Sequence, residues 1–599
     1  AGQGYQELID SAMNRMPDVS RLDMPEPLTV VISRLLSKDP EDRFQDAREI
    51  LKIYADYTNQ TSLYQTVAVR ESFLQGAEFV GRENELDTLM HLLDVADDGS
   101  GNLVLVGGES GIGKSRLLTE IRTQALVRGI QVVNAQAIKE GGTPFYLWQD
   151  IFKRLMLLVG TFPNTENLRH ASVLKPIIPD IGILYDPPQT IPDPPFLEPN
   201  PARERLIETV DALFDRLSIA GITMLIFLED LHWVSSESLH LLQHLQDELV
   251  SLPVLIIGSY RNDEKPHLAS DLPKATHITL RRMSLLESAE LTKGILGEQI
   301  AQPNLINMLH QATEGNAYFL IEMIRSLAEE WGSLDNINPE KSLSKRILGG
   351  GIQNIIKYRL DKLPRKDYYL LELAAVMGRE INLEAMNHFS DDIASWVLAC
   401  ADIAILEWFE DTWRFSHDKF RDYILAQMTA KTLNEAHGRV AEAIETTPIH
   451  GKEARLAYHW AMNGNAEKEQ QYALLAGEQA VQNSAGKEAI TYLNRVLEIG
   501  GLSYQHNARV NFLLAFAHYS IGNLQLCLDY SYQALSDLKF IVARRTRSVI
   551  GSAVWYLLQQ FISPLRRLSG YHRRDPEDLK LAVQIGNHMG QVLFFAGKR

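Results

Sequence analysis

Residues 108–115 read GESGIGKS, so that Gly108, Gly111, Gly113, Lys114 and Ser115 fall on the pattern G-x-x-x-x-G-K-[ST]. Glycines at this spacing let backbone N–H groups wrap a chain of phosphates, and the following helix N-terminus adds partial positive charge. Lys114 would reach the β- and γ-phosphates, and the Ser115 hydroxyl would ligate Mg²⁺. Arg116, the next residue, is counted with the same nucleotide-binding group. A second feature lies in ITMLIFLEDLHW, an apolar run that ends in Glu229 and Asp230. At the end of a strand one carboxylate can hold Mg²⁺ through water while the other polarises an attacking water. The residues alone leave open which does which. A third is PVLIIGSY, another apolar run, followed by Arg261. A cation there could sense a γ-phosphate, although an isolated arginine is more often structural or on the surface.

These groups need a frame. Leu103–Val106 is a short apolar, β-rich run ahead of the glycines. Leu117, Leu118, Ile121, Ala125 and Leu126 follow at helical spacing, with Gly129 as the stop. Strand, loop and helix in that order are the context a phosphate loop requires, and acidic residues at a strand's C-terminal end lie on the ligand edge of an open α/β sheet. Between the motifs, residues 174–202 are rich in proline, which disfavours helix and central strand. We read them as a long insertion draped over the module, as a passive loop rather than a lid or partner site. Ser284 and Glu287 form a capping box at the start of a helix, and the pattern stays mostly helical to about residue 445.

With GRENEL, GGESGIGKS, LEDLHW, GSYR and EGNAYF in this order, the chain resembles a STAND-type signalling ATPase, a branch of the AAA-like P-loop proteins. The resemblance implies that Val80, Gly81 and Arg82 lie near the adenine, and that Gly315 and Asn316 belong to the nucleotide site. Two positions depart from the family pattern. Glu229 stands where the family has Asp, and Ala317 stands where it has the proline that touches the base. The segment WRFSHDKFRDYILAQM resembles the winged-helix part of these proteins. There His417 would close the ADP-bound form by donating to a phosphate oxygen. Near the start, LTVVISRLLSKDPEDRFQDAREIL resembles the last helices of a serine/threonine protein kinase. In that family Arg43 would be a buried arginine paired with a glutamate of the activation segment. The Gly-rich loop, β3 lysine, HRD and DFG motifs that phosphoryl transfer by a kinase needs do not occur in this sequence.

From about residue 446 helix pairs recur. Small residues line up after turn glycines: Ala473 and Ala476 after Gly464, Cys527 and Ala534 after Gly522, with Ala489, Leu493 and Val496 between. Ala489 and Cys527 are 38 residues apart, against ~34 for tetratricopeptide repeats. The segment therefore resembles degenerate repeats of that kind, whose use is a stacked scaffold with a concave, partner-binding face.

The whole chain of 599 residues, 45% apolar and 23% charged, suits roughly four soluble globular domains. The expected class is a multidomain protein: an α/β P-loop NTPase core, then an all-α helical and winged-helix segment, then α-solenoid repeats. The expected division is 1–57 kinase-lobe end, 58–78 linker, 79–283 ATPase core, 284–345 helical lid, 346–445 winged-helix-like segment and 446–599 repeats. The missing Met and the truncated kinase pattern suggest the middle of a longer protein. A net charge of −17 argues against nucleic acid as a global partner, and the arginine clusters between residues 544 and 574 read as solvated faces. Two cysteines are too few for a disulfide framework and suit a cytoplasmic setting. No apolar run approaches the ~18 residues of a membrane helix.

These features point to an ATP-binding switch with slow hydrolysis inside a bacterial-type signalling kinase. ATP or ADP with Mg²⁺ would be the cofactor, and protein partners would use the repeats, with assembly of copies on activation. Two other functions fit the motifs less well: a scaffold with a vestigial nucleotide site, and an AAA+ ATPase acting on DNA.

Overall fold

The computed structural model describes residues 79–138, 144–159, 165–185, 187–195, 199–297, 300–330, 351–409, 412–448, 451–540 and 575–595, with a helix within 25–37 and a few isolated positions. Most of the kinase-like stretch, the linker 58–78 and the arginine clusters of 544–574 lie outside the described residues. Of the kinase-like stretch, helix α1 (Glu26–Leu35) is present, starting with proline in its first turn. Arg43, which the resemblance makes a buried residue, is exposed here, and its Nε donates to the Ser37 carbonyl at 2.9 Å.

The ATPase region begins with α2 (Glu83–Asp97), β1 (Asn102–Gly107), α3 (Lys114–Val127) and β2 (Gln131–Gln136). It continues with α4 (Gln149–Val159), α5 (Thr165–Leu174), α6 (Pro199–Ala220), β3 (Met224–Glu229), α7 (Ser236–Glu248), β4 (Val254–Tyr260) and β5 (Thr276–Thr279). The strands form one parallel sheet in the order β2-β3-β4-β1-β5. Helices cover both faces, so the strands are apolar on both sides and read as continuous runs. Val104, Val106, Phe227 and Ile257 pack under α2 and α3 with Leu89, Leu117 and Ile121. Leu105, Ile226, Leu228 and Ile256 face the other way, onto Trp148, Phe152, Phe214 and Leu245.

The proline-rich stretch packs onto the module. Ile177, Ile178, Ile181, Tyr185 and Ile191 are buried in that second core, and the Tyr185 hydroxyl donates to the Asn167 carbonyl at 3.0 Å. The described backbone between a 3-10 turn (Ile181–Leu184) and the start of α6 at Pro199 is irregular, but the isoleucines of the stretch remove apolar surface from water, and that holds the segment down.

Three further helices, α8 (Leu285–Leu296), α9 (Pro303–Thr313) and α10 (Ala317–Glu330), share a small core around Leu309, Leu320 and Ile324. The capping box at Ser284 and Glu287 forms and opens α8. Next come α11 (Gly351–Leu360), α12 (Arg365–Met377), β6 (Glu380–Ile381), α13 (Ile393–Asp402), β7 (Leu406–Phe409), β8 (Thr412–Phe415) and α14 (Asp418–Gln427). Their strands pair antiparallel in the order β6-β8-β7, packed on a helical core that includes Leu371, Phe415 and Phe420.

The remainder is a stack of antiparallel helices, each against the next: α15 (Ala430–Thr446), α16 (Glu453–Asn463), α17 (Ala466–Gln482), α18 (Gly486–Ile499), α19 (Tyr504–Ser520) and α20 (Leu524–Asp537). A further helix, α21 (Pro576–Phe595), packs on α20. Ala473, Ala476, Ala489, Leu493, Val496, Cys527 and Ala534 are all buried between them. Small side chains let the helices approach closely. Gly464 ends α16 at φ +82°, a left-handed position that glycine adopts without Cβ strain.

Candidate functional site

The strand order places the chemistry. β4 lies between β1, which feeds the phosphate loop, and β3, which ends in the acidic pair. With strands ~4.8 Å apart, the loop and the carboxylates stand two strands, about 10 Å, from one another. The residue after β4, Arg261, opens into the space between them.

In the loop, Gly111 has φ +79° and Gly113 has φ +106°. Gly113 is the residue from which α3 starts. The Lys114 ammonium donates to the carbonyls of Gly108 (2.6 Å) and Glu109 (2.9 Å), which fold it over its own loop. Burial, and then the nearby Arg261 charge, push Lys114 down to about 8. Ser115 and Arg116 are exposed in the first turn of α3.

Glu229 is the last residue of β3 and is half-buried. Asp230 follows in a left-handed conformation (φ 57°) and is buried. Its backbone N–H donates to Ser259 Oγ on β4 at 3.3 Å. Its Oδ2 accepts from Gln136 Nε2 at 2.7 Å and from Arg379 Nη1 at 2.8 Å. His232 Nδ1 lies 4.0 Å from the other oxygen. Arg261 donates to Glu264 at 2.6 Å and to Asp418, and lies 5.7 Å over the Trp233 ring.

The helical segments close over this edge. Gly81 donates its N–H to Glu83 Oε1 at 2.8 Å, and a Cβ on Gly81 would lie 2.9 Å from Glu287 Cγ. Arg82 is buried and donates to the Arg281 carbonyl. Thus Val80, Gly81 and Arg82 are pinned to the start of α8. Gly315 has φ +73°, and its carbonyl accepts the Met283 N–H at 2.8 Å. Asn316 Nδ2 donates to the Ser110 carbonyl at 3.0 Å, and the Tyr318 N–H donates to the Gly111 carbonyl at 3.0 Å. The phosphate loop is therefore held by the Asn316 side chain and the Tyr318 backbone N–H, neither of which uses the side chain at position 317.

His417 caps α14, its Nδ1 accepting the Lys419 N–H at 3.1 Å. Its ring stacks on Tyr318 with centroids 3.8 Å apart and planes 15° apart. Burial pushes the imidazole down to about 3 against the pull of Asp418, so it is neutral. Because Nδ1 accepts, the proton is assigned to Nε2, which leaves a donor. Burial alone would raise the Asp418 carboxyl, but Arg379 and Arg261 outweigh it and hold it below its usual range.

The structure thus groups Lys114, Asp230, Arg261, Gly315, Asn316 and His417 in one continuous set of contacts. Gln136, Tyr318, Arg379 and Asp418 join them. Asp418 is visible in sequence beside His417. Tyr318 lies within the EGNAYF string, whereas Gln136 and Arg379 are single polar residues with no motif around them.

Residues 78–257 match the family model of the AAA ATPase domain. The core has the parallel α/β fold of a P-loop NTPase. The chain is also 24% identical over 512 residues to an uncharacterized protein of Rhizobium meliloti, covering 79% of this chain and 48% of that one. It therefore spans about half the length of that curated relative. Similar solved structures include a Signal Transduction ATPase with Numerous Domains (STAND) protein with a tetratricopeptide repeat sensor from Pyrococcus horikoshii. It is 13% identical, with 87% of this chain and 74% of that one covered and a TM-score of 0.42. A Walker-type ATPase of Pyrococcus abyssi is 14% identical, with 58% and 96% covered and a TM-score of 0.29. The Drosophila ORC bound to DNA is 12% identical, with 58% and 87% covered and a TM-score of 0.30. Among the described residues no helix is long and apolar enough to cross a membrane, and no cluster of three or more His, Cys, Asp or Glu could hold a metal by itself.

The donors available for Mg²⁺ are the Ser115 hydroxyl and the carboxylates of Glu229 and Asp230. Hard oxygen donors in small number suit an ion that keeps several waters and shares a nucleotide's phosphates, so the residues fit.

Proposed function

We propose that the chain is a STAND-type nucleotide switch: an ATP-binding regulatory ATPase with slow hydrolysis, in a bacterial-type signalling protein of the serine/threonine kinase class. One observation carries this reading. Residues from the segment after the ATPase core reach back into the nucleotide edge, where Asp418 pairs with Arg261 and Arg379 with Asp230. A site whose own catalytic groups are held by a downstream segment changes shape when nucleotide changes, because a ligand shifts an equilibrium only through differential contacts.

In this reading Lys114 and the loop N–H groups bind the β- and γ-phosphates. Val80–Arg82 and Gly315–Asn316 frame the base side. Ser115 with Glu229 or Asp230 would hold Mg²⁺, which when bound neutralises phosphate charge. The remaining carboxylate orients water, Arg261 senses the γ-phosphate, and neutral His417 donates through Nε2 to a phosphate oxygen of the ADP form. Residues 1–57 are the end of a kinase lobe, 79–283 the ATPase core, 284–345 its lid and 346–445 a winged-helix-like regulatory piece. Residues 446–599 are tetratricopeptide-like repeats that engage protein partners. The setting is cytoplasmic, and activation assembles copies of the chain.

The test is Lys114→Ala, measured by equilibrium binding of ATP and ADP. Affinity should fall by about hundredfold or more, the scale of losing a buried charge-assisted contact. Unchanged affinity would sink the reading. Turnover that is fast and stimulated by DNA would replace it with a DNA-acting ATPase, and a purified chain that binds no nucleotide would leave a scaffold.

A further inference from the structure

Arg379 stands just before β6, and its carbonyl accepts the Phe415 N–H at 3.1 Å, which fixes it beside the strand that leads into His417 and Asp418. Its guanidinium is 15% exposed and spans two carboxylates: Nη1 is 2.8 Å from Asp230 Oδ2, and Nε is 3.4 Å from Asp418 Oδ1. Arg261 holds the other oxygen of Asp418. Two arginines and two aspartates therefore form an open chain of ion pairs, Asp230–Arg379–Asp418–Arg261, that joins the acidic end of β3 to the first turn of α14. Asp230 Oδ2 accepts from Gln136 as well, so both of its in-plane lone pairs are engaged. An oxygen so occupied cannot also accept from a metal's water shell.

We propose that Arg379 is a positioning residue that competes with Mg²⁺ for Oδ2 of Asp230, so that metal arriving with nucleotide and docking of residues 379–427 on the ATPase edge oppose one another. The idea rests on the nucleotide-site reading above. Removing Asp230 from Arg379 leaves the guanidinium with Asp418 alone. That weakens the tie at the very residues that cap α14. The coupling is reciprocal: whatever loosens the 379–427 segment makes Asp230 available to metal.

The test uses Arg379→Gln in the whole chain. One arm measures the Mg²⁺ concentration that half-saturates binding of a fluorescent ATP analogue. The other measures amide hydrogen exchange across residues 418–427 without nucleotide. The variant should need about tenfold less Mg²⁺, the size of coupling expected between directly paired groups. Its α14 amides should exchange faster than those of the unmodified chain. Arg379→Lys, which keeps one charge on a single point, should fall between the two and serves if the glutamine variant does not fold. Equal Mg²⁺ dependence in all three chains overturns the proposal. So does a hundredfold loss of turnover at unchanged Mg²⁺ dependence, which would make Arg379 act on the phosphate itself. If the unmodified chain binds no ATP, the nucleotide reading fails by itself. The exchange arm still decides whether Arg379 holds α14: unchanged exchange rejects it.

Discussion

Lys114 carries an ammonium whose folded environment disfavours charge. Its pKa is pushed to about 8 by burial and Arg261, whereas a phosphate beside it would favour the charged form. Nucleotide binding above pH 8 must therefore take up a proton, and affinity should fall by up to about tenfold per pH unit from there upward. Calorimetry at pH 8.5 in buffers of different ionisation enthalpy measures this uptake directly. No uptake would mean that Lys114 does not meet the phosphates. The residue is legible in sequence because its neighbours are: glycines at 111 and 113 are needed for their positive φ, and the apolar runs on either side give strand and helix. Arg379 and Gln136 are not legible. They lie 149 and 94 residues from Asp230 along the chain, and nothing local distinguishes an arginine that will bridge two aspartates from one that will be solvated.

At the scale of elements, α10 is fastened to α11 by Glu322 and Arg359, 2.5 Å apart, with both side chains 3% exposed. Arg325 holds the other oxygen of Glu322 at 2.9 Å, so removing Arg359 leaves one buried carboxylate oxygen without its partner rather than a bare charge. Arg359→Ala should cost about 1–3 kcal/mol, read as a lower urea midpoint, while Arg359→Met, which fills the space without charge, leaves the same oxygen without its partner and should recover little. A double change that also replaces Glu322 with Gln should recover much of the loss; failure to recover would mean the pair is not coupled. The helices and parallel strands themselves are legible from period and burial. The proline-rich stretch is less so. Proline counts describe what backbone a segment avoids, whereas the burial of Ile181 and Ile191 depends on the shape of the core beneath.

Across the whole molecule, the helical stack touches the ATPase core at α7. Lys487 donates its N–H to Glu237 Oε1 at 3.3 Å, and Ser236 Oγ lies 3.4 Å from Glu488 Oε1. A cavity of about 190 Å³ lies beside this contact, lined by Phe145, Arg203, His240, Lys487 and Ile521. Because α7 starts shortly after the turn that follows Asp230, the stack abuts the same stretch of chain as the acidic pair. Glu237→Ala should raise hydrogen exchange of the Lys487 amide about fivefold, the worth of one hydrogen bond. Exchange in β1 and β3 should not change, and an unaltered Lys487 amide would show that the contact is not held in solution. Domain order along the chain is readable from motifs, but contacts such as this one join surfaces 250 residues apart and carry no linear signal. The ion-pair chain has the same long reach, since Asp418 follows Arg261 by 157 residues. At ~5–20 residues per second of synthesis, Asp418 is made roughly 8 to 30 s after Arg261. In every newly made copy the phosphate cradle can therefore be complete before its cover exists. A chain still being synthesised would thus present that edge uncovered, and residues 379–427 would fold down onto it afterwards.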